Sequence, residues 1–156
     1  MRIGHGYDAH RFGGERPFVI GGVQIPFEKK LSAHSDGDTL AHAVIDALFG
    51  AAGMPDIGAQ YPDSAAEFDG ADSMRLLADA AEKVKAAGFG IEYIDCTIVA
   101  QAPKMAKSIP QMRANIAQAC GTDISRVNVK ATTEEKMGFT GEGLGIAAHA
   151  VCLLAE

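Results

Sequence analysis

The chain has 156 residues, 47% of them hydrophobic, with 14 basic and 20 acidic side chains and a net charge of −6. That length and apolar content suit one domain, residues 1–156, around one core. No basic cluster exceeds the pair Lys29-Lys30, which argues against a nucleic-acid partner, and no apolar run is long enough for a membrane span.

Arg2 to Phe12 reads as a short strand ending at Gly13-Gly14. Phe18-Val19-Ile20 and Val23-Gln24-Ile25 flank Gly21-Gly22, a two-residue hairpin signal. From Asp38 to Ala52, Leu40, Val44, Ala47, Leu48 and Ala51 recur at helical spacing, and Gly53 and Pro55 end the pattern. A Gly- and Asp-rich loop follows from Asp56 to Asp72. Ser73 to Ala87 predicts a second helix, with Met74, Leu77, Ala78, Ala81 and Val84 on one face and Asp79 and Lys83 paired outside. Phe89 to Ala100 alternates as a strand, with Ile94, Cys96, Ile98 and Ala100 opposite Tyr93, Asp95, Thr97 and Val99. A third helix spans roughly Ser108 to Cys120, with Pro110 in its first turn. Val127, Val129 and Ala131 mark another strand, and Ile146 to Leu154 a last one, apolar on both faces.

The sum is an α/β (α+β) domain with a mixed or antiparallel sheet and helices on one face. Helices can cover only one side of the last strand, so Ala147, His149, Val151 and Leu153 need another cover. A second subunit supplies it naturally, which predicts a homo-oligomer. The alternative is that the opening hairpin folds over that face. Cys96, Cys120 and Cys152 lie far apart in apolar stretches and read as core thiols in a reducing compartment. Met1 to His10 is polar, not a signal peptide. A cytoplasmic protein is expected, with a mature plastid enzyme as the alternative.

Four groups of residues carry chemistry. Asp8 and His10, two apart on a strand, present a carboxylate and an imidazole to the same side. With His42 they make a donor set suited to zinc or a related ion, with a fourth position open. Asp46, four residues after His42, is placed to orient that imidazole. The turn His34-Ser35-Asp36-Gly37-Asp38 leads into the helix that carries His42. One of Ser35, Asp36 and Asp38 suffices to cap that helix, and free N–H groups there suit an anion. Lys130 to Lys136 supplies Thr132 and Thr133 hydroxyls for phosphate oxygens and the carboxylates Glu134 and Glu135 for magnesium; an ordinary solvated loop is the alternative. Ala100-Gln101-Ala102-Pro103-Lys104-Met105 leaves backbone groups available for a flat ring.

These stretches together resemble the 2-C-methyl-D-erythritol 2,4-cyclodiphosphate synthases. The resemblance rests on Gly4 to His10, Ser35 to Asp38 with His42, Ala100 to Met105, and Thr132 to Gly141, and it runs from end to end. It implies a homotrimer with active sites between subunits and the other sheet face packed inside. The implied reaction is that of the non-mevalonate isoprenoid route, in which a cytidyl diphosphate substrate cyclises and CMP leaves. Asp8, His10 and His42 would hold zinc, and Glu135 would help hold magnesium or manganese on the diphosphate. Asp8, Ala9, His10, His34, Ser35, Asp56, Ile57, Gly58 and the loop Tyr61, Pro62, Asp63, Ser64, Ala65 would contact the methylerythritol phosphate. Ala100, Gln101, Ala102, Pro103, Lys104, Met105 and Ala106, with Thr132, Thr133, Glu134, Glu135 and Phe139, would receive the cytidine diphosphate end. His34 and Thr133 match positions of transition-state stabilisation. Two positions depart from the usual pattern. Glu134 replaces a threonine, adding charge near phosphate or pointing to solvent. Glu142 replaces an arginine near a trimer cavity that can hold an isoprenoid diphosphate, and predicts poor binding of such ligands. Readings from other classes are a metal-stabilised nucleotide-binding module without turnover and a metal-dependent phosphohydrolase.

Overall fold

Glycine at alternate positions near the start of the chain sets how the layers meet. In the computed structural model, which describes residues 1–156, the first strand, β1 (Arg2–Arg16), alternates between exposed and covered residues. Gly4, Gly6, Asp8, His10 and Phe12 face the first helix, α1 (Thr39–Ala52). A Cβ at Gly4 would collide with the Ala47 carbonyl and the Ala51 backbone, and one at Gly6 with the Ala43 carbonyl and the Ala47 nitrogen. The helix therefore lies directly on the strand backbone. Two strand residues advance about 6.8 Å and four helical residues about 6.0 Å, so contacts two apart on β1 match contacts four apart on α1.

The hairpin strands β2 (Val19–Ile20) and β3 (Val23–Gln24) turn at Gly21-Gly22, both with positive φ as a type I′ turn requires. β4 (Leu31–Ser32) pairs with the end of β1. After α1 come the short helix α2 (Ile57–Gln60), α3 (Ser73–Ala86), β5 (Gly90–Val99), α4 (Ile109–Cys120), β6 (Val127–Thr132), the short helix α5 (Gly138–Gly141) and β7 (Gly145–Ala155). The main sheet has the order β4-β1-β7-β5-β6. Only β5 and β6 are parallel, joined through α4, so the sheet is mixed as expected.

Three expectations change in detail. β1 does not end at Gly13-Gly14; the chain bulges there, with Gly13 at φ +100, and pairing with β4 resumes at Arg16. The segment from Asp56 to Asp72 holds α2 and a 3₁₀ turn at Ala66–Phe68, because Asp56 caps the Ala59 N–H. On α3 the fully buried apolar side chains are Leu77, Ala80, Ala81 and Val84, while Met74 and Ala78 are only partly covered.

The hairpin does not cover the open sheet face. Its turn docks on the helical side, where Gly21 and Gly22 donate to Asp38 and Asn115 donates to the Gly21 carbonyl. The open face keeps Ile3 73%, Tyr7 47%, Tyr93 43% and Val151 38% exposed. No helix is long and apolar enough to cross a membrane.

Gly6→Ala tests the close contact. It should cost about 3 kcal/mol, because a methyl group there overpacks a backbone–backbone seam. Urea denaturation reads the effect, and an unchanged midpoint would show that α1 does not rest on the β1 backbone.

Candidate active site

Past Gly6, β1 carries Asp8 and His10 on the face that meets α1, and His42 lies one turn into that helix. Asp38 fixes the start of α1. Its carboxylate is fully buried and accepts N–H groups from Ala41, Gly21 and Gly22 at 3.0, 2.8 and 2.7 Å. Burial, and next the Asp36 charge, push its pKa above the usual carboxylate value against those three donors.

The three donor atoms form a nearly equilateral triangle. Asp8 Oδ2 lies 3.0 Å from His10 Nε2 and 3.0 Å from His42 Nδ1, and the two ring nitrogens are 3.2 Å apart. Metal–ligand bonds of 2.0–2.1 Å in a tetrahedron imply edges of about 3.3 Å, so the set fits a divalent cation with one corner open. Burial alone would raise the Asp8 pKa, but hydrogen bonds and positive charge from His10 and His42 hold it at about 2. Burial alone would lower His42; the Asp8 hydrogen bond and the charges of Asp8, Asp38 and Asp36 outweigh it, and its pKa lies above 6.5.

Asp46 does not orient His42. Its carboxylate accepts the Ile57 N–H at 2.8 Å and ties α2 to α1. The far nitrogen of His42 instead meets Ser73 Oγ at 2.8 Å and Ser35 Oγ at 3.3 Å. Sequence reading assigned Ser73 only to the start of a helix. No local pattern marks it, since the contact joins residues 31 apart in sequence.

The triangle borders a cleft of about 190 Å³ lined also by His34, Ser35, Ile57, Gly58, Tyr61 and Asp63. The His34 carbonyl is pinned by Arg16 at 3.1 Å and the Gly70 N–H at 3.0 Å, which leaves its ring at the cleft edge. Tyr61 packs on Phe49 and Phe68, and its hydroxyl donates to Asp79 at 2.6 Å. Asp56, Pro62, Ser64 and Ala65 are not among the lining residues. Ala9 alternates to the opposite face of β1 and can offer the cleft only its backbone.

A second cleft, of about 270 Å³, is lined by Ala100, Gln101, Pro103, Lys104, Met105, Ala106, Thr132 and Thr133. Beside it Glu135 and Lys136 adopt φ of 52 and 67, an uncommon left-handed pair for residues with a Cβ. The turn is held by the Glu135 N–H to Thr133 Oγ1 at 3.3 Å and the Lys136 N–H to Gln101 at 3.0 Å. Glu134 does not point to solvent; its carboxylate accepts the Thr140 hydroxyl. Phe139 and Glu142 are exposed nearby.

One chain does not bring the two clefts together. Ala9 pairs with Ala147, Ala147 with Val99, and Val99 with Thr132. Thr132 thus stands three strand spacings, about 14 Å, from β1. It also shares the open face with Val99, whereas Asp8 and His10 face α1.

Comparison with known proteins places the chain in a family. Residues 1–155 match the YgbB family model. Proteins named 2-C-methyl-D-erythritol 2,4-cyclodiphosphate synthase from Escherichia coli (strain SMS-3-5 / SECEC) and Salmonella typhimurium are each 58% identical, covering 100% of this chain and 98% of theirs. Among solved structures, the bifunctional IspDF of Campylobacter jejuni superposes with a TM-score of 0.94 at 46% identity, covering 98% of this chain and 42% of that one. The Plasmodium falciparum IspF complex with CDP gives 0.85 at 33% identity, covering 98% and 94%. With a full-length family match and relatives that share more than half of its residues, the chain belongs to the YgbB family.

Proposed function

We propose that this chain cyclises 4-diphosphocytidyl-2-C-methyl-D-erythritol 2-phosphate to 2-C-methyl-D-erythritol 2,4-cyclodiphosphate and releases CMP. The observation that carries this reading is the Asp8–His10–His42 triangle at metal-ligand spacing on a cleft edge, in a chain 58% identical to synthases of that name. In the reaction an oxygen of the substrate's own 2-phosphate bonds to the β-phosphorus. The bond from that phosphorus to the bridging oxygen breaks, and the electron pair leaves with CMP. Both reactants belong to one molecule, so folding it correctly is most of the task; well-oriented intramolecular reactions reach effective molarities of about 10⁵–10⁸ M. The nucleophile is already ionised, so no strong base is needed.

The residues then divide by role. Asp8, His10 and His42 hold zinc, and Glu135 helps hold magnesium or manganese. Such ions supply charge withdrawal from phosphates that otherwise repel each other. His34 and Ser35 position the methylerythritol phosphate, with Ile57, Gly58 and Asp63 along the same cleft. Ala100 to Ala106 receive the cytidine, and the Thr132 and Thr133 hydroxyls donate to its diphosphate. His34 and Thr133 act by placement and electrostatics on the developing charge.

The same geometry supports reading the protein as a homotrimer with sites between subunits. Three strand spacings, about 14 Å, separate the strands that carry the two clefts within a chain, so each cleft is placed to meet the other kind on a neighbouring subunit. The apolar open face supplies a surface for packing subunits together. Glu142 is exposed after α5; it stands where the family resemblance has an arginine beside a trimer cavity, and a carboxylate there would repel an isoprenoid diphosphate.

Four outcomes are expected. With zinc and magnesium, ³¹P NMR of the cytidyl substrate should show a cyclic diphosphate and equimolar CMP. His42→Ala should abolish this while light scattering still gives three chains; normal turnover would overturn the site assignment, linear phosphates would indicate a hydrolase, and saturable binding alone a nucleotide-binding module. Zinc affinity should fall by up to about tenfold per pH unit as the pH drops below the raised His42 pKa, since a proton then occupies a ligand atom; a competing chelator measured near pH 8 and pH 6 checks it. Calorimetry with farnesyl diphosphate should give little or no heat, and tight binding would refute the role given to Glu142.

A further inference from the structure

His42 is held from both sides. Its Nδ1 faces Asp8 and His10, and its Nε2 lies 2.8 Å from Ser73 Oγ, on a fully buried side chain at the first turn of α3. Asp36 grips that serine with both oxygens: Oδ1 accepts the hydroxyl at 2.5 Å and Oδ2 the backbone N–H at 3.0 Å. Asp36 is itself placed by the Asp38 N–H at 3.0 Å, in the turn that starts α1.

Counting protons decides the direction of the chain. A carboxylate only accepts, and a serine hydroxyl has one proton. That proton goes to Asp36, so the Ser73 oxygen can offer His42 only a lone pair. His42 then donates through its Nε2–H, so the nitrogen that gives up its proton to a cation is Nδ1, the one aimed into the donor triangle. The opposite tautomer would put an N–H among the ligand atoms and set two lone pairs against each other at Ser73. Ser35 Oγ is the longer contact, at 3.3 Å against 2.8 Å, so Ser73 sets the direction and a Ser35 lone pair can share the same Nε2 proton.

We infer that Asp36 and Ser73 are positioning residues of the metal centre: a carboxylate–hydroxyl–imidazole chain that selects the nitrogen of His42 presented to a divalent cation and fixes its ring. This rests on the reading of Asp8, His10 and His42 as metal ligands. Partners behind a ligating histidine govern affinity by roughly 10- to 100-fold.

The test combines zinc calorimetry on the full chain with ¹⁵N NMR of the zinc-loaded imidazoles. Ser73→Ala should weaken zinc by about 10- to 100-fold, and Ser73→Thr, which keeps the hydroxyl, should bind as the parent does. In the loaded parent, His42 should bind through Nδ1 and show a slowly exchanging Nε2 proton that Ser73→Ala loses. A purely structural serine would change stability but neither signal. Zinc on Nε2, or unchanged affinity and proton protection in Ser73→Ala, overturns the inference and leaves the metal site standing. Undiminished zinc affinity in Asp8→Ala would instead overturn the site itself. If Ser73→Ala does not fold, the parent imidazole spectrum alone decides.

Discussion

The seating of α1 on the bare backbone of β1 is the contact on which the site depends. Gly4 and Gly6 remove the side chains that would hold the helix away. The helix then runs along the strand with matched spacing, and the next two inward positions, Asp8 and His10, come within hydrogen-bond distance of His42. The same contact buries α1 almost all round, so polar groups on it must find partners. Asp38 meets that demand at the helix start and draws the hairpin onto the helical layer with the same carboxylate.

The donor triangle is costly to assemble without a cation. A carboxylate and two imidazoles lose water there, and burial opposes the charged form of both Asp8 and His42. The protein offsets this by mutual attraction: Asp8 stays ionised because the histidines face it, and His42 takes a proton because Asp8 faces it. The geometry that suits this proton-sharing cluster is close to that of tetrahedral metal ligation.

A different economy governs the second cleft. Its parts come from strand ends and from a left-handed turn at Glu135-Lys136, held by Thr133 and Gln101. Such a turn is strained, and it sets the Glu135 carboxylate beside the Thr133 hydroxyl. The turn also draws Glu134 inward to Thr140, so the extra carboxylate is already engaged. Separation across the sheet keeps the two clefts apart within one chain.

The sequence by itself determined the helices, the hairpin and most strands, because each announces itself through local periodicity or a glycine turn. It also marked the triad, since two ligands share a strand face and the third opens the next helix. The β1 bulge escaped, because a glycine pair reads equally as a strand end. The partner of His42 escaped as well: Asp46 had the right helical spacing, yet its carboxylate went to Ile57. Ser73 and Asp36 reach the imidazole only because three segments converge behind it. The distance between the two clefts was likewise decided by strand order. Local spacing records what one element presents, whereas the choice of partner belongs to packing between elements distant in the chain.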